Sequence, residues 1–325
     1  MQLNKALEAG DTKQQTKLLL KLSPVLQEKI WGGNRLHTIF GYDIPSDKTG
    51  ECWAISGHPN GDCKIENPEF TGETLGSLWK KRPDLFGYIP GDIFPLLVKI
   101  IDAKDDLSIQ VHPDDAYASI HENGSLGKTE CWYVLDCDAG STIIIGHHAS
   151  TKEEMVEMIN QKRWNELLRE VPIKKGDFFQ INPGCLHAIK GGTLILETQQ
   201  SSDVTYRFYD YDRLENGTPR QLHIAQSLDV TKIPAEIDTT VPATVSLDDA
   251  QITRLVTCPY YSVSRVTVNG SATFDWNKPF VNISILSGNG QLDGVKVKKG
   301  DHLVVTANYG KMLVEGNLEF IYSHI

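Results

Sequence analysis

Short apolar runs separated by Gly, Pro, Asn and Asp recur along the chain, and that pattern predicts strands. The clearest are Leu96–Ile101, Ser108–Val111, Cys131–Leu135, Thr142–Ile145, Asp177–Ile181 and Leu194–Thr198. Helical spacing is confined to a few places. Thr74 to Lys81 is one. Asp114 to His121 is another, entered through Pro113 and stopped near Gly124. The longest predicted helix runs from Lys152 to Glu170, with Met155, Ile159 and Leu167 apolar and a capping box Ser150-x-x-Glu153 at its start. The pattern reads as mainly β with a small helical insertion.

An internal repeat refines this reading. Val171-Pro-Ile-Lys-Lys-Gly-Asp-Phe-Phe-Gln-Ile-Asn182 resembles Val295-Lys-Val-Lys-Lys-Gly-Asp-His-Leu-Val-Val-Thr306. Without a gap, Gly192 falls opposite Gly316 and Leu194 opposite Leu318. Each copy reads as strand, Lys-Gly-Asp turn, strand, loop, strand. Two related β units are expected, over residues 20–231 and 251–325, with 232–250 as linker and 1–19 as an N-terminal extension. Helical insertions are expected near 114–122 and 151–170. In register, His187 falls opposite Lys311 and Glu197 opposite Ile321. The second unit keeps the strand pattern and lacks those polar groups, which suggests one active and one structural unit.

The 325 residues carry a formal net charge of −10, an acidic balance that argues against nucleic acid as a partner. No apolar run is long enough to cross a bilayer, so no membrane span is expected. Met1 to Lys17 lacks the features of a signal peptide and is expected to fray. Six cysteines without a Cys-x-x-Cys pair read as reduced thiols of a cytoplasmic protein. Cys52, His58 and Cys63 match no common metal-ligand frame and lack a fourth ligand.

Candidate chemistry concentrates in three distant segments. Gln110 and His112 are two apart at the end of a predicted strand, so their side chains share a face. Glu130 enters an apolar strand, where an unpaired carboxylate is costly to bury. A metal relieves that cost; a salt bridge with a neighbouring lysine is the alternative. His187 follows a Pro-Gly turn that aims it back into a barrel mouth. A carbonyl oxygen, two imidazoles and a carboxylate form a set that zinc accepts. Pro-Gly-x-x-His after a Gly-Asp strand is the second metal motif of cupin barrels. Their first motif has His-x-His, and here Gln110 stands in for the first histidine.

Several motifs in order resemble the short bacterial form of type I mannose-6-phosphate isomerase. They are Ser108-Ile-Gln-Val-His-Pro-Asp114, Gly127-Lys-Thr-Glu-Cys-Trp132, Pro183-Gly-x-x-His187-Ala and Glu197-Thr-Gln-Gln-Ser-Ser-Asp-Val-Thr-Tyr-Arg207-Phe-Tyr-Asp-Tyr-Asp-Arg213. Lys29-Ile-Trp-Gly-Gly33 and Gly50-Glu-Cys-Trp-Ala-Ile-Ser56 match its N-terminal signatures. The resemblance covers roughly Leu20 to the C-terminus and is weakest in the second unit. It implies two cupin-like jelly-roll β units and one Zn2+ held by Gln110, His112, Glu130 and His187. It also implies conversion of mannose 6-phosphate to fructose 6-phosphate through an enediol. The partner is then a small-molecule sugar phosphate; the sequence leaves the oligomeric state open between a monomer and a weak dimer.

Arg207 matches the family's catalytic arginine; an ion pair with Asp210 or Asp212 is the alternative. Glu197, at the end of an apolar strand, suits a general base if desolvation raises its pKa, or else serves as a structural acceptor. Lys128 shares the face of Glu130 in extended chain and suits phosphate contact or proton relay. Lys99 and Ser108 are phosphate candidates, although Lys99 at a strand edge could simply snorkel. Trp31 and Trp53 suit a sugar face, with ordinary core as the other reading of Trp31. His147 and His148, before the capped helix, are expected in solvent, and His223 carries no motif. A cupin oxygenase with Fe(II) is a second class, against which Gln110 counts. A non-catalytic sugar-binding cupin is a third, and it would not need Arg207, Glu197 and Lys128.

Overall fold

A computed structural model describes residues 17–325. The tail expected over 1–19 therefore lies largely outside the described residues, and Leu19 already opens a strand, Leu19–Ser23. The chain is mainly β, as two jelly-roll units with short helices between strands.

In the first unit a six-stranded sheet faces a five-stranded one. The larger runs Phe178–Ile181, Glu130–Cys137, Thr193–Gln200, Leu96–Ala103, Val25–Gly33 and Thr49–Ile55 in spatial order. The smaller runs Tyr206–Tyr209, Ile109–Val111, His187–Ile189, Thr142–His147 and Leu168–Pro172. Trp132, Ile143, Ile145, Ile181 and Ile195 fill the space between them. Leu96–Ala103 is buried along its whole length because it has neighbours on both sides and layers on both faces. Lys99 thus sits in an interior strand rather than at an edge, which removes the snorkelling explanation. Glu197 likewise lies inside Thr193–Gln200 rather than at a strand end.

The second unit is built on a nine-stranded sheet that also takes in Leu19–Ser23 and Lys64–Ile65. Its strands Ser262–Trp276, Val281–Leu292 and Gly310–His324 pair so that Gly270, Gly316 and Gly290 fall in one line across the three strands. A Cβ at Gly290 would meet the Glu315 carbonyl at 2.1 Å, so only glycine lets the strands approach at this corner. Leu19–Ser23 pairs with His302–Val305, so the start of the described chain completes the sheet of its far end. The stretch expected as linker over 232–250 contributes an edge strand, Ala243–Leu247, paired to Ala250–Thr257. The repeated turns are built alike. Asp177 Oδ2 accepts from the Lys174 amide and Asp301 Oδ2 from the Lys298 amide, both at 2.9 Å. Gly176 and Gly300 take φ values of 90° and 87°.

Three further expectations change. The helix predicted over 152–170 stops at Asn160, resumes as Trp164–Leu167, and gives way to strand Leu168–Pro172. Lys162 at φ 54° breaks it, and pairing with Thr142–His147 captures the rest. Its cap sits one residue later than expected: Thr151 accepts from the Glu154 amide, and Glu154 reaches back to the Ser150 amide. His147, expected in solvent, is buried, with Nε2 against the Lys232 carbonyl at 3.0 Å. It ends a strand that is buried from Ile143 onward, just past an irregularity in the pairing at Gly146, whose φ is 84°.

Candidate active site

The two sheets of the first unit bring three distant segments together at a cavity of about 440 Å³. Its floor begins with Ile109–Val111. Gln110 is the cross-strand partner of His187 on one side and of Arg207 on the other. Partners in register project their side chains to the same face, so Gln110, His187 and Arg207 share one side of the small sheet. Glu130 opens the strand of the facing sheet and meets them from across the core.

His112, Glu130 and His187 are each at most 1% exposed, and their ligand atoms all lie within 4.8 Å of one another. Both histidines present Nδ1 to a backbone carbonyl, His112 to Val204 at 2.9 Å and His187 to Cys185 at 2.8 Å. A carbonyl only accepts, so each Nδ1 carries the hydrogen and each Nε2 is left as a lone pair. Those two Nε2 atoms face each other at 3.2 Å. Glu130 Oε1 lies 3.3 Å from His187 Nε2, and Oε2 lies 3.6 Å from His112 Nε2. Burial holds the His187 pKa down to about 4, and burial with the Lys128 charge holds that of His112 well below its usual value. At neutral pH both rings stay unprotonated, and of the two facing lone pairs only that of His112 meets a donor, the Lys128 ammonium. Glu130 Oε1 is buried without a hydrogen-bond partner.

This donor set fits a divalent metal such as zinc: two neutral imidazoles locked in the ligating tautomer and a carboxylate beside them. Gln110 is the cross-strand partner of His187 and lines the cavity. The Lys128 ammonium lies 3.0 Å from both His112 Nε2 and Glu130 Oε2. The lysine salt bridge weighed as the alternative for Glu130 therefore exists alongside the metal-type cluster. Burial alone would lower the Lys128 pKa, but the carboxylates of Glu130 and Glu197 outweigh it and raise it.

Glu197 is buried, lines the cavity and shares Trp132 as a neighbour with His187. Its Oε1 accepts from the Trp132 indole at 3.0 Å, while Oε2 makes no hydrogen bond and lies 3.6 Å from Lys99 Nζ. Burial, and then the neighbouring Glu130, raise its pKa against the pull of Lys128 and Lys99. One oxygen is thus a structural acceptor, and the other faces the Lys99 ammonium without a hydrogen bond. Lys99 also lies over the Trp53 ring, 5.0 Å from its centroid. Ser108, Trp31 and Trp53 line the same cavity, Trp31 and Trp53 each 4% exposed. Trp31 packs on Gly50, where a Cβ would come within 2.6 Å of the ring.

Arg207 pairs with neither Asp210 nor Asp212. Its Nη1 donates to the Gln221 carbonyl at 2.8 Å, and its Nε is buried without a partner. Asp210 is instead held by Arg213 and Arg220, each at 2.6 Å.

Further residues in the cavity were not singled out from the sequence. Glu51 accepts from the Trp53 indole at 2.8 Å and pairs with Lys29 at 3.2 Å. Burial alone would raise its pKa, yet Lys99 and Lys29 hold it at about 2. Its spacing of two from Trp53 placed both on one strand face, a signal available in the sequence. Arg220 and His223 also line the cavity. They arrive on a loop whose pattern gives no sign of it. His223, set aside for lack of a motif, accepts from the Arg207 amide through Nδ1 at 3.2 Å. Cys52, His58 and Cys63 form no second cluster: His58 faces Asp203 at 3.7 Å, and Cys63 Sγ meets the Trp53 carbonyl. His112, Glu130 and His187 are the only such metal-type group among the described residues.

Two jelly-roll units, with a buried two-histidine, one-carboxylate cluster in the first alone, define a cupin-type enzyme. A family model for the catalytic domain of type I phosphomannose isomerase matches residues 19–138, and one for the mannose-6-phosphate isomerase cupin domain matches 251–325. The chain is 48% identical to mannose-6-phosphate isomerase ManA of Bacillus subtilis over 311 residues, 94% of this chain and 98% of that protein. It is 47% identical over 310 residues to the mannose-6-phosphate isomerase of Streptococcus mutans, with the same coverage. A crystal structure of mannose 6-phosphate isomerase from Bacillus subtilis superposes with a TM-score of 0.93 at 46% identity, covering 94% of this chain and 99% of that one. The chain belongs to the type I mannose-6-phosphate isomerase family.

Proposed function

We propose that the protein interconverts mannose 6-phosphate and fructose 6-phosphate by proton transfer between C1 and C2 through an enediol, with one zinc ion per chain. The observation that carries the metal part is the pair of Nε2 lone pairs at 3.2 Å beside a buried carboxylate. Gln110, His112, Glu130 and His187 would hold the ion, which would supply Lewis acidity toward the sugar oxygens and help order them.

The chain's own residues do the rest. Glu197 Oε2, whose pKa burial and the neighbouring Glu130 raise, takes the proton from C2 of the open-chain aldose and returns it to C1, while the hydroxyl proton of O2 passes to O1. Lys128 and Arg207 offset the charge that develops on the sugar oxygens. Lys99 holds Glu197 in place, Ser108 offers a hydroxyl to the substrate, and Trp31 and Trp53 wall the cavity and exclude water. Residues 20–231 carry the chemistry, and 251–325 is a structural unit without ligands. No helix among the described residues is long and apolar enough to cross a membrane. The six free cysteines suit a reducing compartment, so we place the reaction in the cytoplasm.

A coupled assay following fructose 6-phosphate tests the reaction, and absence of turnover by zinc-loaded protein refutes it. Run in deuterated water, the enediol route places solvent deuterium on the product carbon, whereas a direct hydride shift leaves that carbon unlabelled.

A further inference from the structure

Glu51 is 9% exposed and lines the cavity, yet its two oxygens are used unequally. Oε2 accepts from the Trp53 indole at 2.8 Å and lies 3.2 Å from Lys29 Nζ. Oε1 has no hydrogen bond or ion pair among the described residues. Burial works against the charge, but Lys99 and Lys29 keep the carboxyl ionised, so the group can only accept. Two other carboxylates line the cavity, Asp203 and Glu197. Asp203 is taken up by Asn60 and His58, and Glu197 Oε2 is the base of the isomerase reading. A bound polyol brings hydroxyl hydrogens, and each needs an acceptor where water is excluded. Glu51 Oε1 is the uncommitted carboxylate oxygen that the cavity offers them.

The backbone sets where that oxygen lies. Trp53 is in register with Lys99, and Lys99 with Glu197. Glu51, two residues before Trp53, projects from the same face. Two strand steps, roughly 10 Å, therefore separate the Glu51 strand from the Glu197 strand. Lys99 stands between them, its ammonium 3.6 Å from Glu197 Oε2 and 5.0 Å from the centroid of the Trp53 ring. The carbon chain beyond C2 can bridge that span with one hydrogen bond at its end. Resting on the isomerase reading above, we propose that Glu51 is a substrate-binding residue whose Oε1 accepts a hydrogen bond from one hydroxyl on C3, C4 or C5 of the sugar. Lys29 and Trp53 are positioning residues, since they hold Oε2 and so aim Oε1. An ionised acceptor makes a stronger hydrogen bond than a neutral one, so the subsite selects for a hydroxyl at that carbon.

Calorimetry of the zinc-loaded enzyme with mannitol 6-phosphate, a reduced sugar phosphate that cannot isomerise, tests this. Its 3-, 4- and 5-deoxy analogues each remove one hydroxyl. One of the three should bind the parent at least about tenfold more weakly than mannitol 6-phosphate does. In Glu51→Gln, that same analogue and mannitol 6-phosphate should bind within about threefold of each other. If Glu51→Gln does not fold, Glu51→Asp, which keeps the charge beside Lys29 and withdraws the oxygen from the cavity, decides the matter by the same criterion. Absence of a tenfold loss in the parent overturns the proposal, and so does a loss of the same size in the variant. Uniform weakening of all four ligands in the variant also overturns it, because Glu51 then acts on the fold alone. If the parent discriminates among the ligands but fails to turn over mannose 6-phosphate, the isomerase reading falls, while the comparison still judges Glu51. A parent that binds none of the four overturns both.

Discussion

His112 Nε2 and His187 Nε2 face each other at 3.2 Å, each ring locked by a carbonyl at its other nitrogen. Two lone pairs at that distance repel, and a carboxylate lies within 3.6 Å of both rings. Burial keeps both rings neutral, so the cluster is complementary to a cation. The ammonium of Lys128 meets part of that demand, and a bound divalent ion would meet more of it.

Glu197→Gln keeps an oxygen for the Trp132 indole and removes the base. We expect kcat to fall by roughly 10²–10⁴, with little change in melting temperature. The active form is the carboxylate, whose folded pKa is raised, so activity in the parent declines as pH falls through that pKa. A kcat–pH profile checks this, and the residual activity of the variant should lack that acidic limb.

Arg207→Ala should lower kcat/KM by at least about 100-fold while unfolding free energy changes by less than about 1 kcal/mol. The reason is local. Arg213 and Arg220 already neutralise Asp210, so removing Arg207 leaves no buried anion unpaired. Parallel kinetics and urea unfolding separate the two effects, and a large stability loss would assign Arg207 a structural role.

Much of this arrangement was legible in the sequence. Gln110, His112, Glu130 and His187 each sit in a strand or turn motif that fixes the side chain's direction locally. Alternation along a strand then needs only correct pairing to bring them together. What escaped was nonlocal. Leu19–Ser23 completes a sheet with residues more than 250 positions away, and no local pattern signals that partner. The helix over 152–170 was overextended because Met155, Ile159 and Leu167 keep an apolar face across the break at Lys162. Arg220 and His223 reach the cavity on a loop without periodicity. The snorkelling alternative for Lys99 could not be dismissed from the sequence, because its burial depends on neighbours on both sides of its strand.

Tyr42 ties the two units. Its hydroxyl donates to the Gly300 carbonyl at 2.9 Å and contacts His302 Nε2 at 2.8 Å, while His302 Nδ1 meets Ser284 Oγ at 3.0 Å. Tyr42→Phe leaves a buried imidazole N–H and a carbonyl without that partner. It should cost about 1–3 kcal/mol in urea unfolding and leave kcat nearly unchanged. Burial also sets the His302 pKa at about 4, below its unfolded value. The unfolded chain takes up the proton first, so the stability linked to His302 is present near neutrality and declines as pH falls from about 6.5 towards 4.

The most direct test is a zinc titration of chain stripped of metal, with mannose 6-phosphate turnover and bound metal measured together. The account predicts negligible activity without metal, a linear rise, and a plateau at one zinc per chain; in Glu130→Gln and His187→Ala, binding at that stoichiometry is lost or greatly weakened. Full turnover by the metal-free chain, or activity that does not follow occupancy, would contradict it.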